Sequence, residues 1–124
     1  MEIVKKTFNN EIISAIEWGD NPESGKTRTE TGLLKCWETY PEAIYVVGNA
    51  PTALLALCDR ISETKIYPSL IIGVPVGFVS VVESKAVLKQ LPTPYILTDG
   101  RKGGSPVASA IINALCLLAW EMGN

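Results

Sequence analysis

Residues 70–85 read Leu70-Ile-Ile-Gly-Val-Pro-Val-Gly-Phe-Val-Ser-Val-Val-Glu-Ser-Lys85 and change character midway. The first five form an apolar run rich in β-branched residues, which is typical of a strand buried on both faces. Pro75 and Gly77 end this run, because proline donates no ladder hydrogen bond and glycine adopts backbone angles that other residues avoid. A helix is predicted from about residue 80 to residue 91. We expect function at the turn, since open α/β sheets bind ligands beyond the carboxyl ends of their strands.

Three other places in the chain repeat this pattern, which predicts the order β-α-β-α-β-α-β-α in a single domain, residues 1–124. The predicted strands are residues 11–18, 43–47, 70–74 and 95–98. The predicted helices are residues 27 to 37 or 39, 50–61, 80–91 and 106–122, with a polar connection at 62–68. Alternation of this kind predicts a mostly parallel four-stranded sheet with helices on both faces, a three-layer, Rossmann-like α/β/α fold.

Two helix starts carry capping signals. Asn49 is the predicted N-cap of the second helix, and Pro51 lies in its first turn. In the last helix, Ser105 is the predicted N-cap and Pro106 the predicted first helical residue. The last helix is apolar on nearly every side, and such a helix is normally covered all round. Because the domain is small, we expect another chain to provide part of that cover.

Composition excludes several classes of protein. Of the 124 residues, 47% are hydrophobic, the net charge is −2 and no basic stripe is present, so we expect no nucleic-acid partner. The longest apolar stretch, residues 107–120, is interrupted by Ser109 and Asn113 and is shorter than a membrane span. The first six residues lack the apolar region of a signal peptide, so we expect a cytoplasmic protein without a membrane partner.

The cysteine and histidine content of the chain limits the disulfides, metal sites and acid–base catalysts that it could form. Cys36, Cys58 and Cys116 lie far apart, which predicts buried thiols rather than disulfides or a zinc site. The chain has no histidine, the commonest general acid or base and the commonest metal ligand. Nucleotide-binding fingerprints are also absent from the sequence. We therefore expect no metal and no cofactor.

Four loops should meet at one edge of the sheet, and each leads into a helix N-terminus, which favours anions. Arg28, Arg101 and Lys102 would add positive charge, and arginine grips carboxylates with two parallel hydrogen bonds. The loops predict a cradle for a ligand with several carboxylates or phosphates, although each alone also fits plain turn geometry. Glu83 is either a solvated residue of a first helical turn or a weak catalytic candidate. The loops are Gly25-Lys-Thr-Arg28, Gly48-Asn-Ala-Pro-Thr52, Pro75-Val-Gly-Phe78 and Gly100-Arg-Lys-Gly-Gly-Ser105.

Several segments together resemble the precorrin-8X methylmutase (precorrin isomerase) family of cobalamin biosynthesis. They are Tyr45-Val-Val-Gly-Asn-Ala-Pro-Thr-Ala-Leu54, Ile72-Gly-Val-Pro-Val-Gly-Phe-Val79 with Glu83-Ser-Lys85, and Gly100-Arg-Lys-Gly-Gly-Ser105. Gly25-Lys-Thr-Arg28 resembles a fourth family segment. The order and spacing of these segments also match. The resemblance covers roughly residues 10–118 of this chain and extends only to the C-terminal half of the family's proteins.

The resemblance implies a cofactor-independent isomerase. Such enzymes move a methyl group from C11 to C12 of precorrin-8X, giving hydrogenobyrinic acid or its cobalt form. It further implies a homodimer whose loop N–H groups and basic side chains hold the carboxylates of the tetrapyrrole. The substrate-binding candidates carried over are Thr27, Arg28, Gly48, Asn49, Ala50, Thr52, Pro75, Val76, Gly77, Phe78, Ser84, Lys85, Gly100, Arg101, Gly103, Gly104 and Ser105.

The chain departs from the family pattern in two ways. The family's proton-donating histidine lies in the half that is not matched, and Asp99 stands where the family usually has an arginine. Three readings stay open at this point. In the first, the chain is an isomerase, either completed by another chain that supplies the N-terminal half or acting by a route that needs no histidine. In the second it is a non-catalytic binder of tetrapyrrole or corrinoid carboxylates, and in the third a partner subunit that has lost the pocket.

Overall fold

The computed structural model describes residues 14–19, 27–76, 80–98 and 103–123. Within these residues a parallel sheet has the order β1-β2-β3, formed by β1 (Ile44–Val47), β2 (Leu70–Gly73) and β3 (Tyr95–Leu97). The helices are α1 (Arg28–Thr39), α2 (Pro51–Thr64), α3 (Val81–Lys89) and α4 (Ser105–Gly123). The predicted α/β class, the parallel sheet and the four helices are therefore confirmed.

The first predicted strand, residues 11–18, is wrong where it can be checked. Ala15–Trp18 forms a short 3-10 helix, and residues 11–13 lie outside the described part. The Trp18 ring packs against Tyr40, just after α1, with 6.0 Å between ring centroids. Gly19 lies so close to the Arg28 carbonyl that a Cβ would not fit. The segment thus packs on α1, and the described sheet has three strands instead of the predicted four. The Rossmann-like description stays a prediction.

Side-chain alternation in the strands builds two apolar clusters. Tyr45, Val47 and Ile71 pack with residues of α1, α2 and α3 on one face of the sheet. Ile72 packs with Ala108 and Ile112 of α4 on the other face. Because successive strand residues point to opposite faces, both faces of the sheet are covered, as predicted.

Two helix boundaries differ from their predictions. Helix α2 continues three residues beyond the predicted end and stops at Thr64, where Lys65 adopts a left-handed conformation (φ 57°) and donates its N–H to the Ile61 carbonyl. Residues 62–64 are therefore helical rather than a connection. Helix α3 is shorter than predicted at its far end, since the N–H groups of Gln90 and Leu91 bond three residues back and tighten the last turn.

The described residues cover only one side of helix α4. Leu117 and Leu118 are 45% and 54% exposed, whereas Ala108 and Ile112 are buried against the sheet. Among the described helices, none is long and apolar enough to cross a membrane. The cover that we expect from another chain stays a prediction.

Candidate functional site

The three strands are parallel, so their carboxyl ends lie along one side of the sheet, here called the carboxyl edge. The chain leaves β1 at Gly48, β2 at Val74 and β3 at Thr98. Helix α4 begins at this edge too, since the Gly104 N–H donates to the Val74 carbonyl at 2.8 Å. The fold thus brings one predicted loop, the beginning of a second and the end of a third to one place.

Asn49 and Ser105 join the first and last of these loops. The Asn49 Nδ2 donates to the Ser105 Oγ at 2.7 Å. Beside this contact, a Cβ on Gly48 would lie 2.9 Å from the Ser105 Cα and 3.0 Å from its nitrogen, so only glycine fits. We call this contact between Gly48, Asn49 and Ser105 the β1–α4 junction.

Both predicted N-caps at this edge are corrected by the structure. Ala50, not Asn49, is the N-cap of α2, and its methyl side chain has no acceptor for a capping bond. The Asn49 amide instead donates to Ser105. Ser105 is the first residue of α4, and the Ala108 N–H donates to the carbonyl of Gly104. Pro51 does begin α2, as predicted.

The start of α4 depends on two glycines with positive φ. Gly103 has φ 146° and Gly104 has φ 112°, a conformation that residues with a Cβ rarely adopt. A Cβ on Gly103 would also collide with the Val74 carbonyl. Since the Val74 N–H itself donates to the Val47 carbonyl at 3.0 Å, the start of α4 is fixed to both β1 and β2 through Val74.

Thr27 and Arg28 form the start of α1. The Thr27 Oγ1 accepts the Glu30 N–H at 3.1 Å, so this hydroxyl caps the helix. Arg28 is exposed at the first helical position. Helix α1 packs against the 3-10 helix and α2. A place for Arg28 beside the ligand stays a prediction.

Ser84 and Lys85 lie on the buried face of α3. The Ser84 Oγ donates to the Val81 carbonyl at 2.8 Å, within its own helix. Lys85 is 4% exposed and its Nζ donates to the Thr98 Oγ1 at 3.0 Å. Glu83 is exposed in the first turn, where a carboxylate interacts favourably with the helix dipole.

Eight of the predicted binding residues gather at the carboxyl edge, and others do not. The eight are Gly48, Asn49, Ala50, Pro75, Val76, Gly103, Gly104 and Ser105. Thr52 is exposed in the first turn of α2. Gly77, Phe78, Gly100 and Arg101 lie outside the described residues. Thr98, which follows the last strand and accepts a hydrogen bond from Lys85, was not among the sequence-based candidates.

The described groups at this edge suit anion binding. The starts of α2 and α4 present backbone N–H groups and a positive dipole end, and Asn49 and Ser105 bear side-chain donors. Groups of histidine, cysteine and acidic residues able to hold a metal ion do not occur within the described ranges.

The cysteines lie away from this edge and divide into two kinds. Cys36 and Cys58 are buried in the core, while Cys116 is only partly buried, which corrects the prediction of three buried thiols. Burial raises the pKa of the Cys58 thiol to about 12, with a smaller contribution from Asp59. Burial also raises the pKa of Tyr45. Both Cys58 and Tyr45 therefore keep their protons at neutral pH as core residues.

Fold and site together define an α/β protein whose carboxyl edge gathers the starts of two helices, and comparison with known proteins gives its family. A family model described as CbiC, precorrin-8X methylmutase, matches residues 2–118. The chain belongs to the precorrin-8X methylmutase family.

Relatives and a solved structure agree with this assignment. The chain is 56% identical over 121 residues to a cobalt-precorrin-8 methylmutase of Synechocystis sp., covering 98% of this chain and 56% of that protein. It is 53% identical over 89 residues to a cobalt-precorrin-8 methylmutase of Leptospira interrogans, covering 67% of this chain and 40% of that protein. The structure of precorrin-8x methyl mutase from Thermus thermophilus superposes with a TM-score of 0.82 and 40% identity, covering 99% of this chain and 61% of that one. The chain thus spans about half the length of the curated relatives it matches.

Proposed function

We propose that this chain binds the tetrapyrrole precorrin-8X, or the product hydrogenobyrinic acid, at the carboxyl edge and serves the C11-to-C12 methyl shift. The observation that carries the proposal is the β1–α4 junction. It joins two segments that resemble family motifs, and the Gly104–Val74 hydrogen bond adds a third. Three motifs that lie far apart in the sequence meet where an α/β sheet binds its ligands.

Binding in this proposal is carried by carboxylate contacts. Helix N-termini and the donors of Asn49 and Ser105 meet some carboxylates of the macrocycle, while Arg28 and Arg101 meet others with charge-assisted hydrogen bonds. Gly48 and Gly103 lack side chains where the backbone packs closely, so no Cβ at either position covers this edge. These residues orient the macrocycle and exclude water from one of its sides.

The methyl shift also needs a proton. An isomerisation leaves the composition unchanged, so a proton delivered to the macrocycle must be matched by one that leaves it. General acid catalysis contributes about 10²–10⁴-fold, and histidine suits the task at neutral pH. The sequence has no histidine. In this proposal the acid comes from a chain or segment that supplies the rest of the family's length.

A titration tests binding. The purified chain is mixed with hydrogenobyrinic acid and the visible spectrum of the corrin is followed. We expect a saturable spectral change that weakens with added salt, because charge-assisted contacts at an exposed edge are screened. An esterified corrin without carboxylates serves as the control and should not bind. A spectrum that stays unchanged at ligand excess would reject the proposed function.

A conversion assay tests catalysis. Precorrin-8X is incubated with the chain alone, and with the chain plus a separately expressed N-terminal half of a relative, while the corrin spectrum is recorded. We expect no turnover at a family-like rate from the chain alone and turnover once the histidine-bearing half is added. Full activity of the chain alone would contradict this prediction and direct attention to Glu83→Gln.

The absence of histidine from the chain favours one second candidate, a non-catalytic carrier of corrinoid carboxylates. The two assays separate it from the first proposal. A carrier binds hydrogenobyrinic acid in the titration but gives no turnover with any N-terminal half.

A further inference from the structure

The hydrogen bond between Asn49 and Ser105 has a direction. The Asn49 Nδ2 donates and the Ser105 Oγ accepts, at 2.7 Å. Within the described residues, this is the only hydrogen bond that either side chain makes. A serine hydroxyl has one proton and two lone pairs, so the amide occupies one lone pair and leaves the hydroxyl proton to be donated elsewhere.

The backbone that carries this hydroxyl is fixed from two sides. The Gly104 N–H donates to the Val74 carbonyl at 2.8 Å, immediately before Ser105. Gly48 packs so closely that an added Cβ would lie 2.9 Å from the Ser105 Cα. The freedom that remains at Ser105 is rotation of its side chain and of its hydroxyl, and the hydrogen bond from Asn49 restricts both.

The chemistry of the hydroxyl fits a carboxylate. Both residues are exposed at the carboxyl edge, and Ser105 is the first residue of α4. A carboxylate has only acceptor atoms, so it binds a hydroxyl by accepting the hydroxyl proton. A hydroxyl that already accepts from an amide is a stronger donor, and a side chain oriented before binding loses less conformational freedom.

We propose that Asn49 is a positioning residue, which through its amide directs the Ser105 hydroxyl proton toward a ligand carboxylate at the start of α4. This role rests on the proposed function, in which the carboxyl edge binds the carboxylates of the tetrapyrrole. It refines the expectation that both side chains contact the ligand independently, because Asn49 here acts through Ser105.

Titration with hydrogenobyrinic acid tests the coupling of the two residues. Ser105→Ala should weaken binding about ten-fold, and Asn49→Ala about three-fold or more, as expected for hydrogen bonds to a charged and to a neutral group. In the Ser105→Ala background, Asn49→Ala should have no further effect, whereas additive losses would overturn the proposal. Ser105→Thr keeps the hydroxyl and should bind more tightly than Ser105→Ala. Gln90→Ala is the matched control, since it removes an exposed amide at the end of α3 and should bind like the wild type.

Asn49→Asp reverses the direction of the hydrogen bond. The new carboxylate accepts the Ser105 proton and withdraws it from the ligand, and its charge also repels a ligand carboxylate. The Ser105→Ala background retains the repulsion alone. The loss of affinity from Asn49→Asp relative to Asn49→Ala should therefore be about three-fold or more larger with Ser105 present than in that background. Equal losses would show that repulsion accounts for the whole effect and would overturn the proposal.

A readout without ligand separates this role from the proposed function. In a heteronuclear NMR spectrum of the free chain, a side-chain amide proton of Asn49 should move upfield in Ser105→Ala but not in Gln90→Ala, because its acceptor is lost. An unmoved signal would overturn the proposal. If the wild type does not bind hydrogenobyrinic acid, the proposed function is rejected, while the amide shift still supports the link. If the wild type binds and the Asn49 and Ser105 variants bind equally well, the positioning role is rejected and the proposed function stands.

Discussion

Side chains and glycines at the carboxyl edge divide into those that hold the backbone and those that offer charge. Gly48 and Gly103 allow close backbone approaches, Gly104 adopts a positive φ, and the Asn49 amide holds Ser105. Arg28 and Arg101 are the residues predicted to bring positive charge to this edge. Binding strength should therefore respond to the arginines, and stability to the glycines.

Arg28→Ala and Arg101→Ala should each weaken hydrogenobyrinic acid binding about ten-fold or more, because a hydrogen bond to a charged group contributes about 1.5–3 kcal/mol. The measurement is the spectral titration. Arg60→Ala is the matched control, since Arg60 pairs with Glu38 at 3.6 Å between α2 and α1, a partly exposed pair whose loss should leave binding unchanged. Wild-type affinity in both edge variants would place the carboxylate contacts on other residues.

Cys58 gives a pH-dependent prediction. Burial raises the pKa of its thiol from 9.0 to about 12, so the folded state holds the proton more tightly than the unfolded state. This contribution to stability is complete below about pH 9 and is lost as the pH rises toward about 12.

In urea unfolding, Cys58→Ala should be less stable than the wild type at pH 7, because a small core cavity forms. The difference should shrink by pH 10.5, because only the wild type loses the thiol contribution. Some alkaline loss persists in the variant, since burial raises the pKa of Tyr45 as well. A difference that stays constant between pH 7 and pH 10.5 would contradict the assignment.

At the scale of elements, the β1–α4 junction is a contact between backbones. Gly48→Ala would place a methyl group 2.9 Å from the Ser105 Cα, and a backbone atom moves aside less easily than a side-chain end. We expect a loss of about 1–3 kcal/mol in the free energy of unfolding and weaker ligand binding. Ser62→Ala, at an exposed position of α2, is the control and should lie within about 0.5 kcal/mol of wild type. Equal unfolding midpoints for both variants would count against the junction.

Local patterns predicted most elements because strands and helices here follow their usual signals. The β-branched run of β2 and the proline at the start of α2 are examples. The prediction of residues 11–18 failed because contacts with residues distant in the sequence determine the local structure there. Residues 15–18 have strand-like composition, but Trp18 packs on Tyr40. Helix α2 runs past its predicted end because no glycine or proline occurs there, and Lys65 itself takes the left-handed conformation.

The candidate site was predictable to the extent that topology alone determines it. Parallel strands bring their following loops to one edge, so the gathering of Gly48, Pro75 and Gly104 follows from the element order. Side-chain partners do not follow. Asparagine is a preferred N-cap residue, but the Asn49 side chain bonds instead to a residue 56 positions away. Lysine is almost never fully buried, so the position of Lys85 had no sequence signal.

At the scale of the whole molecule, the exposed apolar surface of α4 predicts self-association, most simply a dimer. Leu117 and Leu118 lie on this surface, and apolar patches of more than a few hundred Å² usually mark interfaces. Light scattering at micromolar concentration should give a dimer mass for the wild type and a monomer mass for Leu118→Glu.

Val82→Glu is the matched control for that substitution, because Val82 is 52% exposed on α3 instead of α4. It should keep the wild-type mass. A monomeric wild type would contradict the prediction, and dissociation by both variants would show that added negative charge alone is responsible.

The β1–α4 junction also has a consequence for the order of folding. Its hydrogen bond joins residues 56 positions apart, so the loop it closes includes all of α2, β2, α3 and β3. Closing a long loop is entropically costly unless intervening structure has already brought its ends together. The junction should therefore form after the rate-limiting step. In stopped-flow experiments, Asn49→Ala should accelerate unfolding and leave the refolding rate nearly unchanged. A nascent chain would then acquire its core before its carboxyl edge.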